Sequence, residues 1–411
     1  KYKLLNKWIL KGGTLIKFSG PRLLQSNSLF LSENNLSTNV RHIGNELSFD
    51  NKLSILDFDE NSIFKGLQIP NDIKFYKQLI INNYNKKISV EARLSDKTPL
   101  VSYFNQGKGK VFLFHVTANN QWSNLPLSSL FSERAFDGVV VFGDVDSTLL
   151  GTVTAVASSV SVAHIESGLR SHDKRMPEEM NRIIVDHLSD ILFTTEPSAN
   201  ENLATEGISQ SKIKYVGNIL AEGIELFWDK ISTSTITKSL NLTGNDYCVI
   251  TIHRYENTEN PLVLKAILTL INDLSKKIQL VFPLHPGTRK RIQEFGLDKL
   301  VQDTKITDPL GYSDFVQLMV KSRGVITDSG GIQEETSYLG IPCCTLRDNT
   351  ERPITIDLGS NKLFSIYTAK TNEIMEHLGC KNLKSQHIPL WDNKVSERII
   401  NTLSDTYIRG H

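Results

Sequence analysis

With 46 basic and 45 acidic side chains in 411 residues, the formal charge of +1 gives no basic field for nucleic acid and no drive toward an anionic membrane. Such a length can bury two or three cores. The four cysteines (Cys248, Cys343, Cys344 and Cys380) form no Cys-x-x-Cys pair, and neither a membrane-length apolar run nor a signal peptide is visible, so the expectation is a cytoplasmic protein with reduced, buried thiols.

In chain order, "KLLNKWILKGGTLIKFSG" reads as a helix, a Gly-Gly turn and a strand, and "LVSYFNQGKGKVFLFHVT" as a hairpin. An Asn-, Ser- and Lys-rich stretch of weak periodicity lies between them. From about residue 137 the pattern becomes regular. Short apolar runs ("DGVVVFG", "VSVAHIE", "DILFTT", "KIKYVG", "DYCVITIH", "IQLVFPLH", "RGVITD", "IPCCTL") alternate with amphipathic, helix-like segments. Buried strands alternating with helices predict an α/β fold of two doubly wound, Rossmann-like domains. The Ser/Thr-rich run 229–246 is the expected connection between them. The predicted units are 1–135, 136–232, 233–385 and a C-terminal helix in 386–411.

In open α/β sheets ligands bind beyond the carboxyl ends of the strands. Here those ends carry Asp144, then His164 and Glu166, then His253 and Arg254, then His285, then Asp328, Ser329, Gly330 and Gly331. One such ending is an ordinary helix cap. Five together, three of them with imidazole, point to a cleft with reactive groups. "TDSGGIQEETSYLGIP" predicts a strand, a glycine turn and a helix closed by Gly340 and Pro342. Backbone N–H groups at such a helix start, aided by the helix dipole, form a phosphate site. Arg352 would add a cation for the same phosphates. Between two of these strands, the stretch from His164 to Arg182 packs four carboxylates, four cationic side chains and two imidazoles. Its Glu179, His172, Asp173, Lys174 and Arg175 fit a solvated loop. No G-x-G-x-x-G follows a strand, no P-loop motif is present and no His/Cys group has metal-ligand spacing, so neither a nicotinamide cofactor nor a metal is expected.

Seven motifs occur in order: "FGDVDST", "HIESGLRS", "MPEEMNR", "IHRYEN", "PLHPGTR", "TDSGGIQEE" and "RDNTERP". Together they resemble the non-hydrolysing UDP-N-acetylglucosamine 2-epimerases, from about residue 137 almost to the C-terminus. The resemblance implies two Rossmann-like domains facing a cleft, an architecture shared with one large class of glycosyltransferases. It implies no cofactor, a UDP-N-acetylhexosamine as partner and a family-like homodimer. The implied reaction removes H2 as UDP leaves C1, holds a 2-acetamidoglucal, returns a proton to the other face of C2 and re-adds UDP. In this pattern Asp144, Glu166 and Glu178 share acid/base duty and His253 stands near the leaving phosphate. Arg170 and Arg182 steer or neutralise the acids. Ser329, Gly330 and Gly331 hold phosphate, Glu335 the ribose, Arg352 the diphosphate and Phe315 the uracil, with His285 on the nucleotide side. Three readings stay beside this one: a hydrolysing 2-epimerase, a glycosyltransferase, and a non-catalytic UDP-sugar binder.

The family's opening strand, its Thr-Arg-Pro-Glu loop and its Gly-Gln-His segment have no counterpart here. Residues 1–135 instead resemble a segment of bacterial aerotolerance-type membrane proteins with an amidotransferase-like domain. That segment holds no cysteine, which excludes a thiol nucleophile within it. The expectation is a join of two unrelated fragments near 132–138. It would leave the first epimerase sheet without its opening strands, expose or patch its edge, and weaken turnover by loss of part of the phosphate clamp.

Overall fold

The computed structural model describes residues 14–18, 38–43, 53–59, 62, 75, 77–81, 88–106, 108–115, 137–242, 246–380 and 388–407. The expected helix ahead of Gly12 and all but the last two residues of the expected join at 132–138 lie outside them. Strands β1 (Thr14–Phe18), β4 (Ile88–Arg93), β5 (Pro99–Gln106) and β6 (Gly109–Phe114) form a sheet in the order β1-β6-β5-β4. β5 and β6 are the predicted hairpin. Strands β2 (Thr38–His42) and β3 (Lys77–Ile81) pair antiparallel. Buried Leu79, Leu94, Leu100, Val101 and Leu113 make the apolar interior of this region.

The next four strands are β7 (Val139–Phe142), β8 (Val162–Ser167), β9 (Ile191–Thr194) and β10 (Ile213–Tyr215). They form a parallel sheet in the order β10-β9-β8-β7. Among the described residues nothing pairs with the outer edge of β7, and Phe142 is 50% exposed there. β8 and β9 are buried along almost their whole length, as strands covered on both faces must be. One of their covers comes from the far end of the chain. Val395 and Ile399 of the helix Val395–Tyr407 pack on Ala163, Ile165 and Phe193, and the Tyr407 hydroxyl meets Ser161 Oγ at 2.8 Å.

The last six strands are β11 (Tyr247–Thr251), β12 (Gln279–Pro283), β13 (Lys305–Thr307), β14 (Gly324–Thr327), β15 (Cys343–Thr345) and β16 (Asn361–Leu363). Their order is β13-β12-β11-β14-β15-β16, all parallel, which is the doubly wound order of dinucleotide-binding domains. Side chains alternate across β11: Cys248 and Ile250 join the core on one face, Tyr247 and Val249 that on the other. The order reverses between β11 and β14, so the crevice of this domain opens at their carboxyl ends.

The domain boundary differs from the expected 232/233. The helix Ile219–Ser232 begins in the first core with Ile219, but its Ile224 and Ile231 are buried against β11 and β14. The chain therefore crosses near Asn218. The polar run read as a connector opens with the last turn of this helix, and a short helix, Ile236–Ser239, follows within it. Cys248, Cys343 and Cys344 are buried free thiols as expected; Cys380 is free and exposed. Among the described residues no helix is long and apolar enough to cross a membrane.

Candidate active site

The ends of β7, β8 and β9 face the crevice of the last sheet, and each carries a carboxylate. Asp144 follows β7, Glu166 lies within β8 and Glu196 follows β9. Glu166 has a left-handed backbone, φ +71°, at a register shift between Ile165 and Ser167. A bulge with such a residue re-aims a side chain out of the pleat, and strain of this kind is held where the surroundings fix it. Glu166 Oε1 reaches Arg352 Nη2 of the other domain at 2.6 Å. Asp144 accepts from Arg182, whose Nε and Nη2 also bind Glu179 at 3.0 and 2.8 Å. Glu178 stands exposed in the first turn of the helix Pro177–Leu188, one turn ahead of Arg182 on the same face.

On the opposite wall the glycine turn is formed as predicted. The helix Gly330–Leu339 starts at Ser329, whose hydroxyl makes no cap bond, and stops at Gly340, φ +67°. A side chain at position 330 would collide with the Arg352 guanidinium and come within 2.7 Å of Glu351 Oε1. Glycine there lets the arginine lie directly over the open helix start. Arg352 also pairs with Glu351, and its Nε is 2.8 Å from Glu334 Oε2. Arg347 Nη2 and Arg254 Nη2 reach Glu351 at 2.8 and 3.3 Å. Burial pushes the Glu351 carboxyl up, but these three guanidinium groups outweigh it and hold the group well below the usual range.

At the switch point, the buried Asp328 carboxylate accepts from the backbone N–H groups of His253 and Arg254 and from Asn257 Nδ2. It also lies 3.1 Å from His253 Nδ1. Burial alone would raise Asp328; the His253 ring, Asn257 and the Arg254 N–H together lower it. The half-exposed imidazole is thus fixed through Nδ1, with Nε2 turned to the crevice. His285 caps the helix Pro286–Glu294 by accepting from the Gly287 N–H at 3.1 Å. Burial and the neighbouring His253 push its pKa down. Phe315 is half-buried on the helix Tyr312–Val320. Buried Glu335, bonded by the Tyr312 hydroxyl, is pushed up to about 7 by burial.

Three expectations change. Arg170 does not reach this cluster: its guanidinium is buried and bound by Asp186 at 2.7 Å, by both oxygens of Glu206 and by the Leu169 carbonyl. His164 is not a cleft imidazole. It is fully buried between Asp186 at 2.7 Å and the Gly143 carbonyl at 2.9 Å, and holds β7 against β8. Glu179 is not a loop charge: buried, it accepts from the Ser171 and His172 N–H groups and from Arg182.

A family profile described as UDP-N-acetylglucosamine 2-epimerase matches residues 125–404. The chain belongs to the UDP-N-acetylglucosamine 2-epimerase family. The Methanococcus maripaludis UDP-N-acetylglucosamine 2-epimerase is 42% identical over 235 residues, which is 55% of this chain and 64% of that enzyme. The Pseudomonas aeruginosa UDP-2,3-diacetamido-2,3-dideoxy-D-glucuronate 2-epimerase is also 42% identical, over 229 residues, 55% of this chain and 62% of that one. The chain thus spans less than two-thirds of the length of these two relatives. The Methanocaldococcus jannaschii UDP-GlcNAc 2-epimerase, solved in complex with UDP-GlcNAc and UDP, superposes with a TM-score of 0.63 at 35% identity. That match covers 68% of this chain and 78% of that one. The family match begins upstream of the expected join.

Within this epimerase-family site, sequence reasoning passed over Asp328 as an orienting group, Glu334 and Glu351 as partners of Arg352, and Glu196 altogether. The strand-end rule that found Asp144 and Glu166 would also have found Glu196, one residue past "DILFTT".

Proposed function

We propose that the chain interconverts UDP-N-acetylglucosamine and UDP-N-acetylmannosamine by eliminating and re-adding UDP across C1 and C2. The observation that carries this is the Glu166–Arg352 contact. It joins a carboxylate of the acid/base wall to the cation lying over the glycine-started helix. H2 of the sugar is not beside a carbonyl, so its removal must be coupled to departure of the diphosphate from the adjacent carbon, and the groups serving the two events must be neighbours. Ser329, Gly330, Gly331 and Arg352 receive the diphosphate charge as it develops. Asp144, Glu166 and Glu178 serve the two faces of C2. His253, oriented by Asp328, gives the leaving phosphate its proton. Glu335 and Phe315 hold ribose and uracil. Arg182 positions Asp144.

The Pseudomonas relative supports a second sugar, a 2,3-diacetamido uronate, at the same site. Residues 1–135 are read as a separate α/β unit of aerotolerance-protein type. That they form a separate unit is supported by their sheets sharing no strand with the epimerase sheets among the described residues.

The test is incubation with UDP-N-acetylglucosamine in D₂O, followed by NMR at C2. Deuterium at C2 in both epimers is the expected result. Free UDP accumulating without the second epimer would instead establish the hydrolysing reaction, and UDP binding with no exchange would leave a binder. Exchange only with the diacetamido uronate would establish the second sugar.

A further inference from the structure

Around Arg352 the acids outnumber the cations, even counting Arg254 and Arg347 on Glu351 and Arg182 on Asp144. Glu166, Glu334 and Glu351 touch this one guanidinium, and Asp144 and Glu196 lie close enough to feel it. Two of these acids are distinct. Glu334, in the nucleotide domain, and Glu196, in the other, are each almost fully buried; Glu196 Oε2 has no hydrogen-bond donor, and Glu334 Oε2 has only the Arg352 guanidinium, whereas Glu351 is shared by three. Glu334 Oε1 accepts from Asn218 Nδ2 at 2.7 Å, and Oε2 is near Arg352 Nε but out of line with its N–H. Glu196 Oε1 accepts from Ser198 Oγ at 2.5 Å, and the Ile354 N–H also binds this carboxylate. The other charged or titratable neighbours are Asp357 and Tyr215 around Glu196, and Glu166 beside Glu334. A buried, unpartnered carboxylate oxygen is best satisfied by a proton. Burial pushes Glu334 up to about 8 and Glu196 up to about 7, each with the other domain's charges in view.

We propose that Glu334 and Glu196 are a proton-accepting pair across the domain seam: when a diphosphate engages Arg352, a proton from solvent binds to this pair. The inference rests on the diphosphate reading of Arg352 given above. A guanidinium drawn to phosphate no longer neutralises these carboxylates, and two new negative charges arrive beside them. Protonating one carboxyl restores the balance without moving either domain. Both residues are positioning residues, since they act on the nucleotide through Arg352.

The experiment is calorimetric titration of UDP into the full chain at pH 8 in HEPES and in Tris, whose ionisation heats differ. The expected result is uptake of about one-half to one proton per UDP, so that affinity weakens about three- to tenfold from pH 8 to 9. Glu334→Gln and Glu196→Gln should each reduce the uptake. His253 and His285 are the competing acceptors, and His253→Asn with His285→Asn, read as protons taken up per UDP bound at saturating UDP, should leave the uptake in place whatever the affinity. Equal heats in the two buffers, or uptake lost in the histidine variant, would overturn the pair while leaving the nucleotide site standing. No UDP binding by the unaltered chain would instead remove the diphosphate reading itself, and the pair with it.

Discussion

Asp328 does two jobs with one carboxylate. It gathers the N–H groups that begin the turn after β11, and it holds His253 Nδ1 so that Nε2 points outward. Asn in its place keeps the shape but offers an amide where an acceptor is needed. We expect Asp328→Asn to lower kcat roughly 10²-fold or more, in line with loss of an oriented acid/base group. UDP affinity, measured by calorimetry, should change only severalfold; an unchanged kcat would show that the imidazole orientation is not used. Gly330→Ala tests the other wall. Its backbone tolerates alanine, but the methyl displaces Arg352 and Glu351. UDP binding should weaken about tenfold, the value of one charge-assisted contact, and some stability should be lost with it because the displaced ion pair is buried. The places of these residues were readable because they stand at a strand end and a helix start, which sequence spacing carries; the hold of Asp328 on His253 was not, since it joins two strands 75 residues apart. Arg170 was not readable: only the fold decides that buried Asp186 and half-buried Glu206 meet its guanidinium and leave it nothing for a cleft ligand.

At the level of elements, the alternation of apolar runs and helices was enough to call both parallel sheets, because strands buried on both faces leave continuous apolar segments. What alternation does not encode is which core a helix joins. The helix Ile219–Ser232 was cut at its polar end, since Asp229, Lys230 and Ser232 face solvent while Ile231 does not. The helix Val395–Tyr407 closes on a sheet more than two hundred residues earlier, a pairing that periodicity cannot name. It has a measurable consequence. Ile399 is buried against the β8 and β9 core, so Ile399→Ala should cost about 2–5 kcal/mol by urea denaturation. Hydrogen exchange should speed up in β8 and β9 and not in β11 or β14. Uniform acceleration over both sheets would mean that the two domains unfold as one unit.

For the molecule as a whole, the buried charges of the seam set how stability follows pH. Glu196, Glu334 and Glu335 are raised by burial to about 7, 8 and 7. Between their ordinary value near 4.5 and those values the folded chain keeps protons that the unfolded chain has released. Stability therefore falls as pH rises through that window. His115, His285 and His377 act oppositely. Burial lowers them, so below about pH 6.5 the unfolded chain binds the extra protons and stability rises with pH. Asp186, Asp328 and Glu351 are held low in spite of burial by their cationic partners, and their contribution is lost only in acid. Above about pH 6.5 the histidines are silent and the raised carboxyls act unopposed, each by up to about 1.4 kcal/mol per pH unit. The urea midpoint should accordingly drop between pH 6.5 and 8.5, and the double variant Glu334→Gln, Glu335→Gln should flatten that drop. Parallel curves for the two proteins would place the titration elsewhere, because removing two of the three raised carboxyls must shrink the slope to the part that Glu196 supplies.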